Sequence, residues 1–155
     1  DRSVTRVGRQ TQTFIHKVLS DRIRSLLAEY HELERYGRFG SELSGETQLK
    51  IKRGRFTEEL LRQDTQVSIM PEIQVVYLAL VFAGFFDKKD IEFVRAQKRM
   101  VLKTIQEQDV YKKLTAYAKT KAAKIDDLIV ELSHNLKPLE DACQTAEAVA
   151  EAPKQ

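Results

Sequence analysis

Hydrophobic residues recur at steps of three and four along most of the chain, the spacing of one face of an α-helix. The first such stripe is made of Ile15, Leu19, Ile23, Leu26, Tyr30 and Leu33. Gly37 and Gly40 follow it, and glycine is typical of helix C-termini because it tolerates positive φ. The pattern predicts a long first helix that ends near residue 37.

The next stretch predicts two short helices, 46–53 and 55–63, hinged at Gly54, because glycine weakens a helix interior. A loop is expected over 63–70. Pro71 then suits the first position of a helix, where its missing N–H needs no partner. Apolar residues surround most of this third helix, expected to run to residue 86, so it should lie at the centre of a bundle.

Beyond a polar stop at 87–90, the spacing predicts a further helix with Lys98 and Arg99 facing outward. From Val110 a helical stripe continues to Pro138, which restricts the residue before it. The Ala/Glu-rich segment 144–155 is expected to be a flexible tail. The fold class is therefore all-α, a helical bundle over residues 14–143.

The first residues differ from the rest. Side chains alternate along Ser3 to Gly8, as on a short β-strand. One isolated strand is not stable alone, so its sheet is expected to lie outside this polypeptide. Residues 1–13 are accordingly interpreted as the remnant of another domain.

Composition supports a single hydrophobic core, and the small net charge gives no reason to expect binding to a polyanion. The 155 residues are 42% hydrophobic, and 26 basic against 23 acidic residues leave a net charge of only +3. The basic cluster of Lys50, Lys52, Arg53 and Arg55 beside Phe56 imitates a nucleic-acid patch. Because the acidic residues 58 and 59 follow it, a solvated helix face is favoured and no nucleic-acid partner is expected.

The sequence lacks the residues that several kinds of catalytic or metal site need. No glycine-rich phosphate-binding loop with lysine and Ser/Thr is present. The one cysteine, Cys143, and the three dispersed histidines form no metal-ligand spacing, so no metal site is expected. The adjacent acids Glu58 and Glu59 diverge on a helix and are interpreted as solvated surface. The apolar run 73–86 is shorter than the ~20 residues that cross a bilayer.

Two blocks of sequence resemble one family. SVTRVG at 3–8 with TQT at 11–13 resembles the exit from the nucleotide-binding domain of the F-type ATP synthase alpha subunit. LAEYHELERYGRFGSELSGETQLKIKRGRFTEELLRQ at 27–63 resembles the helical C-terminal domain of that subunit, and the resemblance continues through PEIQVVYLALVFAGFFD at 71–87 before it fades.

The resemblance implies a role for three residues. Alpha and beta subunits of this family alternate in a ring, and beta makes or hydrolyses ATP in proton-driven rotary catalysis. Arg6 matches the arginine finger that alpha lends to the neighbouring beta site. Gln63 matches a glutamine near the adenine of the nucleotide that alpha itself holds, and Thr65 stands where the family has a second glutamine.

The resemblance also implies partners and cofactors. The family's phosphate loop is absent, so the chain alone is expected not to be an enzyme, and ATP or ADP with Mg²⁺ is expected only in the assembled complex. The implied partners are beta subunits, the remainder of the alpha subunit and the gamma central stalk, with membrane association only through the complex. The expected location is the cytoplasmic face of the bacterial inner membrane, the matrix side of the mitochondrial inner membrane or the stromal side of the thylakoid.

Some alternatives stay open. The missing central domain fits either a subunit supplied in separate pieces or an incomplete sequence. The coupling ion, proton or sodium, is undetermined because its ligands belong to membrane subunits. The alternative function is a stand-alone helical protein-interaction module, which the strand-like segment at 3–8 disfavours because an adaptor has no need of it.

Overall fold

A computed structural model describes residues 14–36, 44–62 and 69–151. Within these ranges the chain forms helices and no strand. The helices are α1 Phe14–Tyr36, α2 Gly45–Leu61, α3 Pro71–Ala83, α4 Ile91–Glu107, α5 Asp109–Ala118, α6 Ile125–Ser133 and α7 Lys137–Glu151. The all-α prediction is confirmed, whereas the strand predicted at 3–8 lies outside the described residues.

Helix α3 is the centre of the bundle, as its all-round hydrophobicity predicts. Every residue from 74 to 81 is buried, and α3 contacts α1, α2, α4, α5 and α6. It begins at Pro71 as expected but ends at Ala83, three residues earlier than predicted. Gly84 ends it with φ of 92°, a left-handed conformation that favours glycine. Phe85 and Phe86 remain buried in the turn that follows.

Helix α2 is one continuous helix, so the predicted hinge at Gly54 is wrong. Gly54 is buried against α1, and a Cβ built on it would lie 2.4 Å from the Cβ of Tyr30. Glycine is therefore required at this position for the close approach of two helices and not for a bend. Ser44 caps the N-terminus of α2 by accepting a hydrogen bond from the Thr47 N–H at 3.2 Å.

Two charged residues differ from their predicted surface positions. Glu59 is only 7% exposed, although adjacent acids on a helix predicted solvated surface. Lys98 on α4 does not face outward, because its ammonium group lies 2.9 Å from the Glu59 carboxylate. The pairing of α2 with α4 explains both differences, since each charge covers the other.

The C-terminal part contains three helices where one stripe ending at Pro138 was predicted. Pro138 is the second residue of α7, a position in the first turn where proline needs no N–H partner. Leu139 and Cys143 of this helix are buried, and α7 packs on α4. Helix α7 continues to Glu151, so the segment predicted to be a flexible tail from residue 144 is helical over most of its length.

Candidate functional site

The three predicted site residues, Arg6, Gln63 and Thr65, lie outside the described residues. The structure does describe the places where their segments join the bundle. These are the first turn of α1, the last turn of α2 with its C-cap Arg62, and the first turn of α3. We call this set of three helix ends the junction.

A buried hydrogen bond joins two of the three helix ends. His16 Nε2 lies 2.9 Å from Gln74 Oε1, and both residues are only 3% exposed. Because the amide oxygen can only accept, Nε2 carries the proton in this arrangement. Ser20 Oγ lies 3.5 Å from the other ring nitrogen, Nδ1. The first turns of α1 and α3 are therefore held together, and the segments carrying Arg6 and Gln63 join the bundle at the same end.

A cluster of charges holds the last turn of α2. Lys98 Nζ lies 2.9 Å from Glu59 Oε2 and also contacts two backbone carbonyls, Glu59 O at 3.2 Å and Arg62 O at 2.8 Å. Arg95 Nε donates to Glu59 Oε1 at 3.2 Å, and Arg62 Nη1 lies 3.8 Å from the same oxygen. One ammonium group thus joins a buried carboxylate to the carbonyls at the end of the helix.

The buried carboxylate remains ionised because of these contacts. Burial by itself raises the pKa of Glu59, but hydrogen bonds from Lys98 and Arg95 and the charges of Lys98 and Arg62 outweigh it, so the pKa lies below its usual value of 4.5. The positive charges of Lys98, Arg95 and Arg62 also lie near the C-terminal end of α2, which carries partial negative charge and so attracts them.

Exposed apolar side chains mark the junction. Phe14, the first described residue of α1, is 72% exposed, and Met70, the N-cap of α3, is 54% exposed. The third large hydrophobic residue exposed in the described part of the chain is Val130 on α6. The junction therefore carries apolar surface that the described residues do not cover.

The basic cluster around Phe56 binds acidic residues of the same chain. Arg53 contacts both carboxylate oxygens of Asp87, at 3.1 and 2.8 Å, and Lys52 donates to the backbone carbonyl of Asp87. Lys50 pairs with Glu29 at 3.1 Å, and Phe56 is buried as expected. The expectation of a wholly solvated face is wrong for Lys52 and Arg53, which are partly buried and tie α2 to the turn after α3.

The described ranges contain neither a metal-binding cluster nor a membrane-spanning helix. In residues 14–36, 44–62 and 69–151, no group of three or more histidine, cysteine and carboxylate side chains is arranged to hold a metal ion. None of the helices in these ranges has both the length and the hydropathy needed to cross a membrane.

Comparison with known families gives a match over most of the chain. Residues 12–135 match the model of the ATP synthase alpha/beta chain, C terminal domain. The chain belongs to this family. The all-α bundle agrees with the membership, and the matched region includes every helix from α1 to α6.

Curated relatives of this ATP synthase domain are alpha subunits. The chain is 40% identical over 93 residues to ATP synthase subunit alpha of Limosilactobacillus reuteri, covering 60% of this chain and 18% of that subunit. It is 39% identical over 94 residues to the Streptococcus pyogenes subunit, covering 61% and 19% of the two chains. For the Streptococcus gordonii subunit the identity is 40% over 90 residues, covering 58% and 18%. The chain thus spans less than a fifth of the relatives that it matches.

Sequence reasoning missed the contacts that hold the junction. Lys98 and Glu59 are 39 positions apart, and His16 and Gln74 are 58 apart, so no local spacing relates them. One signal was available. Gln74 is the polar residue within the most apolar run of the chain, and a polar residue in a buried helix needs a hydrogen-bond partner.

Proposed function

We propose that this chain is the C-terminal part of the regulatory, non-catalytic alpha subunit of a rotary F-type ATP synthase and that it supplies an arginine finger to an adjacent beta subunit. The observation that carries the proposal is the family match over residues 12–135 together with alpha subunits as relatives. The SVTRVG segment at 3–8, where the resemblance has the finger, ends a few residues before the matched region begins at residue 12.

In this proposal Arg6 acts on a nucleotide bound by another subunit. Its guanidinium offers several N–H donors in a fixed planar arrangement, which suits the oxygens of a transferring phosphoryl group. Negative charge spreads over those oxygens as the bond to the leaving group lengthens, and a fixed positive charge stabilises that distribution. Arginine fingers of other phosphoryl-transfer enzymes contribute about 10³ to 10⁵ in rate.

Gln63 and Thr65 are assigned to the vicinity of adenine in the nucleotide site of the alpha subunit itself. A glutamine side chain can both donate to and accept from the edge of a base, and a threonine hydroxyl can do the same with a shorter reach. The sequence has no loop to hold phosphates. ATP or ADP with Mg²⁺ therefore binds in the assembled complex, where the remainder of the alpha subunit supplies the phosphate contacts.

The bundle has a mechanical role in the proposal. It packs beside beta subunits and faces the gamma central stalk during proton-driven ATP synthesis or hydrolysis. The central helix α3, buried from residue 74 to residue 81, gives the bundle a continuous core, and such cores resist compression. The complex holds the chain at the cytoplasmic face of a bacterial membrane or at the corresponding face in a mitochondrion or chloroplast.

The test is Arg6→Ala in a complex assembled from this chain and its partner subunits. We expect normal assembly, judged by gel filtration and subunit stoichiometry, and multi-site ATP turnover lowered by about 10³ or more. Arg9→Ala is the matched control, because it removes a second arginine of the same segment and should leave turnover near wild type. Full turnover in an assembled Arg6→Ala complex refutes the finger.

Failure to assemble would favour the alternative function. If the wild-type chain does not join alpha and beta partners under conditions in which a complete alpha subunit does, the stand-alone interaction module becomes the better assignment. The assembly result and the turnover result therefore address separate parts of the proposal.

A further inference from the structure

Positive charge is concentrated in α5 and in the turn that joins it to α6. Residues 110–125 contain five lysines, no acidic residue and no arginine. All five lysines are exposed. The net charge of +3 for the whole chain conceals this concentration, because acids elsewhere balance it. We call these five residues the lysine patch: Lys112, Lys113, Lys119, Lys121 and Lys124.

Most of the lysine patch has no acidic partner in the described part of the chain. Lys119 Nζ lies 3.9 Å from Glu72 Oε1, a long distance for an ion pair, and the other four ammonium groups form no ion pair with the described residues. Lysines elsewhere in the bundle do lie within 3.1 Å of a carboxylate oxygen, namely Lys50, Lys89 and Lys98. The patch is therefore available to an anion from outside the bundle.

The acids that border the lysine patch have other attractions. Asp126 is bound by Arg22 at 3.0 Å. Asp109 and Asp127 lie in the first turns of α5 and α6, where the positive end of the helix attracts a carboxylate. The lysines of the patch outnumber these acids, so the surface remains positive.

Two lysines of the patch lie on the outer face of α5. Tyr111, Leu114 and Ala118 form the buried face of this helix, and positions 112 and 113 point away from it. At a rise of 1.5 Å per residue, positions 112 and 119 are about 10 Å apart along the axis. The screening length in about 0.1 M salt is also about 10 Å, so these charges act together on an approaching anion.

Hydrogen bonds hold the turn that carries the other three lysines. Tyr117 Oη accepts from the Lys124 N–H at 2.9 Å, and the Thr120 hydroxyl donates to the Tyr117 carbonyl at 2.8 Å. Ala123 is buried in the core. The backbone of the turn is thus ordered before any partner arrives, which lowers the entropic cost of binding.

The presence of lysine without arginine indicates the kind of surface that the patch fits. Arginine is enriched and lysine depleted in protein–protein interfaces. The planar guanidinium matches a carboxylate through two hydrogen bonds, whereas a lysine ammonium is a strongly hydrated point charge. A layer of anionic lipid headgroups attracts such charges without requiring a fixed geometry, and clusters of about four to eight basic residues are typical of segments that bind anionic membranes.

We propose that the lysine patch binds the surface of a bilayer that contains anionic phospholipid. The proposal rests on the exposed lysines alone and does not depend on the ATP synthase assignment. Within the complex proposed above, the patch would add a direct contact with lipid to the attachment made through other subunits.

Sedimentation of the full 155-residue chain with lipid vesicles tests the proposal. We expect binding to vesicles of phosphatidylcholine with about one third phosphatidylglycerol and no binding to phosphatidylcholine alone. The triple variant Lys112→Gln, Lys113→Gln and Lys121→Gln should bind about 100-fold more weakly, since each lysine near an anionic surface contributes about fivefold. Salt at about 1 M should release the wild-type chain, because the screening length falls to about 3 Å.

A second triple variant provides the matched control. Lys17→Gln, Lys88→Gln and Lys103→Gln change exposed lysines outside the patch, and both triple variants lower the net charge from +3 to zero. The control should bind like the wild type. Arginine at positions 112, 113 and 121 keeps the charges and should also keep binding. If the patch triple variant does not fold by circular dichroism, Lys112→Gln and Lys121→Gln alone should each weaken binding about fivefold.

Three vesicle results would overturn the proposal: equal binding to both kinds of vesicle, no binding to either, or an equal loss in the two triple variants. Titrations with polyglutamate and with a single-stranded oligonucleotide examine other partners. Binding of one of these that requires the patch, without binding to vesicles, also overturns the proposal and assigns the patch to an acidic protein segment or to nucleic acid. The function proposed above is tested by assembly and turnover, so neither result decides the other.

Discussion

Tyr30 occupies the space that a side chain at position 54 would need. A Cβ added to Gly54 would lie 2.4 Å from the Tyr30 Cβ and 2.5 Å from its Cγ. The Tyr30 Cβ is fixed to the backbone of α1, so a change of rotamer cannot relieve this contact. Helices α1 and α2 therefore approach as closely as they do only because residue 54 has no side chain.

Gly54→Ala should destabilise the protein despite the better helix propensity of alanine. Alanine favours the helix by about 1 kcal/mol, but overpacking of a tight contact costs about 1–3 kcal/mol and here also moves two helices apart. We expect the free energy of unfolding to fall by about 1 kcal/mol in urea titrations. Gly45→Ala is the control, because nothing lies within 4 Å of its added Cβ. Equal stability of the two variants would contradict the close-approach argument.

The ion pairs of Glu59 with Lys98 and Arg95 predict that part of the free energy of unfolding is lost in acid. The folded-state pKa of Glu59 lies below its ordinary value of 4.5. The stabilisation is therefore fully present above that ordinary value and is lost as the pH falls through the lower folded-state pKa. Glu59→Gln, which cannot ionise, should show a smaller decrease in the free energy of unfolding between pH 6 and about pH 3 than the wild type.

The control for this pH dependence is Glu107→Gln, at an exposed position near the end of α4. It should follow the wild-type curve. Urea titrations at closely spaced pH values measure all three proteins. If Glu59→Gln follows the same acid limb as wild type, the carboxylate is not held ionised by Lys98 and Arg95.

The hydrogen bond between His16 and Gln74 predicts coupling between two distant positions. Each alanine substitution leaves a buried polar partner, so either single change should cost more than the bond is worth. In a double-mutant cycle of His16→Ala and Gln74→Ala we expect a coupling energy of about 1 kcal/mol, measured by chemical unfolding. Ser20→Ala with Gln74→Ala should give a smaller coupling. Additive effects of His16→Ala and Gln74→Ala would show that the two helix ends are not joined by this contact.

The purified chain should bind Mg-ATP weakly or not at all, because the sequence lacks a phosphate-binding loop. Isothermal titration calorimetry of the 155-residue chain measures this, with the assembled complex as the positive control. A tight stoichiometric site on the isolated chain would contradict the view that the phosphate contacts come from elsewhere.

The sequence by itself predicted the elements whose signal is local. Four residues of the stripe predicted on α1, Ile15, Leu19, Ile23 and Tyr30, are buried, and Pro71 predicted the start of the central helix. These features depend on residues a few positions apart, for which the period of the helix and the chemistry of its ends are sufficient. The blocks at 27–63 and 71–87 also indicate the family, because that resemblance lies in the order of residues and needs no contact between helices.

Only the tertiary structure decided the structural roles of Gly54, Glu59, Lys98 and Pro138. A glycine within a helix pattern indicates flexibility or close contact, and only the presence of Tyr30 distinguishes the two. A charged residue next to another acid is solvated unless a partner from a distant segment covers it, as Lys98 of α4 covers Glu59. Pro138 ends one helix or begins another according to which residues follow it onto the core, and Leu139 and Cys143 do so. Pairing between distant segments is set by how helix faces fit together in three dimensions, and that fit leaves no periodic trace in a single chain.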